Sequence, residues 1–134
     1  QEPFALLILD LNGFKQINDS HGHYIGDQIL QRVSRRFSKV LQSKDYVSRF
    51  GGDEFIVLIN LQNRAIEQIY PTILSTVEQT MIIKEQQFDL EFASGYALYP
   101  DDGSKFSWLY RLADQRMYQN KKKAEKPIGT LPCK

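Results

Sequence analysis

The chain has 134 residues, of which 42% are hydrophobic and 25% charged, with a net charge of +1. That is enough for one domain with a real core, and so small a charge gives no reason to expect nucleic-acid or membrane-surface binding. The single cysteine, Cys133, excludes an internal disulfide framework and fits a reducing, cytoplasmic setting, and no apolar run nears the roughly 20 residues that would insert into a membrane.

In chain order, Phe4–Leu9 is an unbroken apolar run ending at Asp10, which reads as a buried strand. The opening stretch QEPFALLILDL therefore reads as strand rather than cleavable leader, as expected of a fragment cut from something longer. NGFKQINDSHGHYIG is polar and holds three glycines, so a loop or a broken helix follows. From Asp27, expected as an N-cap, Ile29, Leu30, Val33, Phe37, Val40 and Leu41 recur at helical spacing. Tyr46–Phe50 and Phe55–Ile59 flank Gly51-Gly52 as a β-hairpin. Ile66, Ile69, Ile73, Leu74 and Val77 mark a second helix, in which Pro71 predicts a kink or break at Tyr70. FDLEFASGYALY alternates and reads as another strand, expected to form a hairpin with Met81–Ile83. Phe106, Leu109, Leu112, Ala113, Met117 and Tyr118 give a last helix that fades into the tail KKKAEKPIGTLPCK. This order predicts an α/β (α+β) domain over residues 1–126 and a tail over 127–134. The expected core is ferredoxin-like, or split βαβ. Its central mixed sheet contains an antiparallel hairpin and is flanked by helices, which the order alone places on one side.

Three carboxylates stand out. Asp10 ends a buried strand, and Asp53 and Glu54 open another at a glycine turn. If the first strand lies beside the hairpin, Asp10 meets Asp53 or Glu54. Clustered carboxylates repel one another unless they are protonated or share a divalent cation; hard oxygen ligands with open positions suit Mg²⁺ or Mn²⁺ and a substrate's phosphates. Neighbouring residues on a regular strand face opposite ways, so Asp53 and Glu54 share a site only if the turn bends the chain. Taken alone, these residues leave a polar hairpin and a site equally open. His21 and His23 around Gly22 read as a structural turn, and Trp108, Tyr110 and Tyr118 as core or surface-anchoring residues.

The whole chain tips that balance. RFGGDEF resembles the signature of the GGDEF family, the diguanylate cyclases. LDLNGFKQINDSHGHYIGDQIL resembles that family's first motif, and GYALYPDDG and LYRLADQRMYQNKKKA its closing segments. The resemblance implies a fold similar to nucleotide cyclase catalytic domains. It also implies condensation of two GTP molecules into cyclic di-GMP, with release of pyrophosphate, in a homodimer holding one GTP per domain. Carried over residue by residue, it makes Asp10, Asp53 and the carbonyl of Leu11 metal ligands and Glu54 the catalytic carboxylate. Asn18 and Asp27 would read guanine, and Lys15 and Lys121 would contact phosphates. Gly51 and Gly52 would leave room for the nucleotide. A sensor domain ahead of this one and a phosphodiesterase domain after it are expected, in a longer protein that could be membrane-anchored.

The departures are specific. Asn12 stands where many members carry a second Asp. Glu125 occupies the place of a phosphate-binding Arg, with Lys122, Lys123 and Lys126 around it. The family's inhibitory R-x-x-D site is degenerate here: Gln42-Ser43-Lys44-Asp45 keeps the Asp but not the Arg. An amide cannot imitate a guanidinium's charged planar fork, which predicts weak product inhibition. These departures support an alternative: a catalytically weak, GTP-binding regulatory module.

Overall fold

The computed structural model describes residues 2–130, with side chains through Lys122. The expectations at Lys123, Glu125, Lys126 and Cys133 concern side chains that lie outside the described residues.

Four strands make the central sheet: β1 (Phe4–Leu11), β2 (Tyr46–Phe50), β3 (Glu54–Asn60) and β6 (Phe92–Tyr99), in the order β2-β3-β1-β6. Every pairing among them is antiparallel, so the expected mixed sheet is corrected to an antiparallel one. The physical reason is the connections. Helical segments cross over between β1 and β2 and between β3 and β6, and each returns the chain parallel to the strand it left but two positions away, so the strand that fills the gap runs the opposite way to both. The strand FASGYALY lies beside β1 in the main sheet. Met81–Ile83 (β4) instead pairs with Gln86–Phe88 (β5) as a separate two-stranded hairpin. The expected pairing of Met81–Ile83 with FASGYALY fails because a two-residue turn, Lys84-Glu85, closes the nearer pairing, with both residues at positive φ (51° and 68°).

Helices cover both faces, not one. The period-2 alternation of β1 sends Ala5, Leu7, Leu9 and Leu11 to one side and Leu6 and Ile8 to the other. The first side meets α2 (His23–Val40) and α3 (Ile66–Val77) through Ile29, Val33, Phe37 and Ile73. The second meets α4 (Phe106–Thr130) through Leu109 and Ala113. A single apolar face would have left β1 alternating with polar residues. Its unbroken apolar run is the mark of a strand buried twice. α4 lies so close to β6 that a Cβ at Gly95 would sit 2.3 Å from the backbone nitrogen of Met117.

The segment after β1 is the broken helix. α1 (Phe14–His21) and α2 are separated by Gly22 at φ 93°. Gly22 is the N-cap of α2, and Asp27 lies inside the helix, correcting the expected cap. α3 runs through Pro71 without a break. Pro71 stands at the helix's sixth residue and removes a single backbone donor. α4 extends past the last apolar repeat to Thr130.

Candidate functional site

β1 and β3 end together. In their register Asp10 lies opposite Glu54, and the peptide N–H of Leu11 donates to the carbonyl of Asp53 at 3.2 Å. The hairpin turn between β2 and β3 is therefore tied to the end of β1. Gly51 takes φ 72° there, a left-handed conformation that favours glycine. Arg49 braces the same turn by donating to the carbonyl of Gly52 at 3.0 Å.

A cleft of about 900 Å³ opens at this end of the sheet, and Asp10, Leu11, Lys15, Asp53 and Lys121 all line it. The Asp10 and Asp53 carboxyl groups adjoin there. Burial first, then the charge of Asp53, push the Asp10 carboxyl up to about 6, against a smaller opposing pull from the Lys121 ammonium. The Oδ1 of Asp10 is buried without a partner. A carboxylate oxygen left orphaned beside a second carboxylate is short of a positive partner. Among the described residues no three His, Cys, Asp or Glu side chains form a metal-holding group. Two carboxylates beside Leu11 in one cleft are oxygen donors of the kind that suits a hard divalent cation.

The other expected residues, Glu54, Asn18, Asp27, Gly51 and Gly52, do not line this cleft. Sharing the α4 side of the sheet with Asp10, Glu54 accepts a 2.8 Å hydrogen bond from the Tyr110 hydroxyl. Asp53 belongs to the turn, whereas Glu54 is the first residue of β3 and its carboxylate is held toward α4 by Tyr110. Asn18 packs on α2 at Gly26, where a Cβ would come 1.9 Å from the Asn18 Oδ1. That glycine is the residue before Asp27 in the chain, and Oδ1 of Asn18 is likewise buried and unpartnered. Asp27 lines a second cleft of about 500 Å³ together with Arg49. Gly51 and Gly52 form the exposed hairpin tip, open to a ligand's approach.

Gln42 and Asp45 sit at the opposite end of β3. The carboxylate of Asp45 accepts from the backbone N–H of Gln42 and of Asn60, both at 2.9 Å, and from the Arg64 guanidinium. These contacts use both oxygens for the fold itself.

Sequence reasoning missed four polar groups near the site. Tyr70, Ser94 and Asn120 line the main cleft. The Tyr70 and Ser94 hydroxyls are 2.5 Å apart, and Asn120 donates to the Ser94 carbonyl at 2.8 Å. Tyr110 is the fourth. Tyr70 and Ser94 lie in no quoted motif; for Tyr110 and Asn120 the signal available was position, since both lie in the closing segment that supplies Lys121. His21, read as structural, packs edge-on against the Phe88 ring at 5.1 Å.

The family model described as "Diguanylate cyclase, GGDEF domain" matches residues 1–127. The bifunctional diguanylate cyclase/cyclic di-GMP phosphodiesterase MucR of Pseudomonas aeruginosa is 35% identical over 119 residues, covering 88% of this chain and 17% of that protein. The diguanylate cyclase DosC of Escherichia coli is 35% identical over 136 residues, covering 94% of this chain and 28% of that protein. The crystal structure of the GGDEF domain of PA1120 (YfiN or TpbB) from P. aeruginosa superposes with a TM-score of 0.84 at 31% identity, covering 91% of this chain and 78% of that one. The chain therefore spans less than a third of the length of these two curated relatives. With a matching sequence model over nearly its whole length and a matching fold, the chain belongs to the GGDEF family.

Proposed function

We propose that this domain is a diguanylate cyclase, joining two GTP molecules into cyclic di-GMP with release of two pyrophosphates. The observation that carries the reading is the Asp10–Asp53 pair at the cleft, with the buried Oδ1 of Asp10 lacking a partner. Asp10, Asp53 and the Leu11 carbonyl would hold the divalent cation, Mg²⁺ or Mn²⁺. When bound, it supplies positive charge against the triphosphate and acidifies a coordinated hydroxyl.

The remaining work falls to the protein. Lys15 and Lys121, exposed at the cleft, bind phosphate oxygens as mobile point charges. Asn18 and Asp27, brought to adjoining turns by Gly26, offer a donor–acceptor amide and a carboxylate to the guanine edge. Glu54 accepts the proton of the attacking 3′-hydroxyl, standing beside the metal-holding pair rather than within it. Each 3′-hydroxyl attacks the α-phosphorus of the other nucleotide, so two domains must face each other as a homodimer. A sensor domain ahead and a phosphodiesterase domain behind would set how often two domains meet, by raising effective concentration. The reaction's substrates place the domain in the cytoplasm, and no described helix is long and apolar enough to cross a membrane.

A second reading, a GTP-binding regulatory module, is favoured by one observation: Glu54 lies outside the cleft lining, tied to Tyr110. One incubation separates the two. With GTP and Mg²⁺, the cyclase reading expects cyclic di-GMP and pyrophosphate in a one-to-two ratio, with activity per domain rising with protein concentration. GTP binding by calorimetry with no product over hours would select the regulatory module.

A further inference from the structure

The tie between Tyr110 and Glu54 has its own physical logic. Glu54 faces Asp10 across the β1–β3 ladder, and Asp53 precedes it in the chain. A glutamate is long and flexible, and a cation held by Asp10 and Asp53 would draw it in as a third ligand. The Tyr110 hydroxyl, on α4, opposes that collapse by donating to Oε2 at 2.8 Å. Its ring is itself fixed, stacked near Phe106 and edge-on to Phe50, each with centroids 6.5 Å away. Burial first, then the bond to Glu54, push the phenol's own ionisation up to about 12, so it stays a donor at neutral pH.

We propose that Tyr110 is a positioning residue, holding the Glu54 carboxylate in one orientation apart from the Asp10–Asp53 pair. This inference rests on the cyclase reading above, in which Glu54 receives a proton. A carboxylate pulled onto the cation loses basicity and reach; one anchored to a neutral phenol keeps a free oxygen, Oε1, for the hydroxyl. The arrangement divides labour between two adjacent residues by anchoring them to different elements, Asp53 to the turn and Glu54 to α4.

The test is Tyr110→Phe, which keeps the ring contacts to Phe50 and Phe106 and removes only the hydroxyl. Steady-state kinetics with GTP and Mg²⁺ should show kcat falling about tenfold, a fraction of what a general base supplies, with KM for GTP unchanged. A merely structural role would move both kinetic parameters or neither. A second measurement needs no turnover: thermal unfolding of Tyr110→Phe, Glu54→Ala and the double variant, free of divalent ions. Non-additive shifts in melting temperature are expected from a hydrogen-bonded pair. Additive shifts, or an unchanged kcat in Tyr110→Phe, overturn the proposal. A wild-type domain that makes no cyclic di-GMP overturns the cyclase reading instead. The unfolding cycle then decides alone whether Tyr110 fixes Glu54.

Discussion

Strand β3 begins beside a half-buried carboxylate, Asp10, and ends beside a buried one, Asp45, and the two are treated in opposite ways. At the far end, Asp45 has no side-chain exposure, and its partner Arg64 keeps only 17%. Two backbone amides and that guanidinium hold its carboxyl below the ordinary carboxylate range despite burial. At the near end, Asp10 has an unpartnered oxygen, a second carboxylate for a neighbour, and a carboxyl pushed up to about 6. One aspartate is spent on the fold; the other is kept short of partners. Burial alone therefore says nothing about function. The useful quantity is whether the protein has supplied the positive partners a buried carboxylate needs, or left them to be supplied from outside.

The sharpest way to break this comparison is at the cleft. Asp53→Asn should abolish formation of cyclic di-GMP while leaving the urea midpoint nearly unchanged; product made at the wild-type rate would refute the site. Next comes Asp45→Asn, which strands Arg64 and two amides. Breaking a buried pair of this kind costs about 3–5 kcal/mol, to be read as a lower urea midpoint with an unchanged m-value.

The effect of pH then separates the two ends. The folded pKa of Asp45 is depressed below its reference value of 3.8, so its contribution to stability is complete above that value. It is lost as pH falls through the folded value. The stability gap between wild type and Asp45→Asn should therefore be flat from neutral pH down to about 4, near the free carboxylate value, and narrow below. A gap that widened in acid would contradict the hydrogen-bonded assignment. Asp10→Asn should act with the opposite sign. In metal-free buffer at neutral pH it removes a repulsion rather than a bond, so the melting temperature should rise slightly while turnover disappears. A clear loss of stability would show that Asp10 also serves the fold.

How much of this the sequence disclosed depends on whether the physics was local. Strand β1, the hairpin and the glycine-separated helices were legible because alternation, apolar runs and glycine are one-dimensional signals. So was the meeting of Asp10 with Asp53, once the hairpin was placed beside β1. The all-antiparallel pairing was not, since direction depends on how crossovers return. Nor was the placement of Glu54 outside the cleft, which follows from one residue's difference between turn and strand. Arg64 and Tyr110 lie 19 and 56 residues from the carboxylates they bind, and no periodicity reports a partner at that distance. Asp45 was legible as a residue of interest, but its occupation by the protein's own donors was visible only in three dimensions.

The Lys84-Glu85 turn of the small hairpin has a practical meaning. Two consecutive side-chain-bearing residues at positive φ store backbone strain that Asn-Gly would not. The hairpin hangs from α2 by arginine bonds to its carbonyls and flanks, Arg32 to Ile82 at 2.7 Å and Arg36 to Gln79 at 2.7 Å. None of these residues lines the main cleft. Glu85→Gly should therefore raise stability by about 1 kcal/mol without touching turnover. The hairpin is a ready handle for toughening the domain, a place where robustness can be engineered independently of signalling.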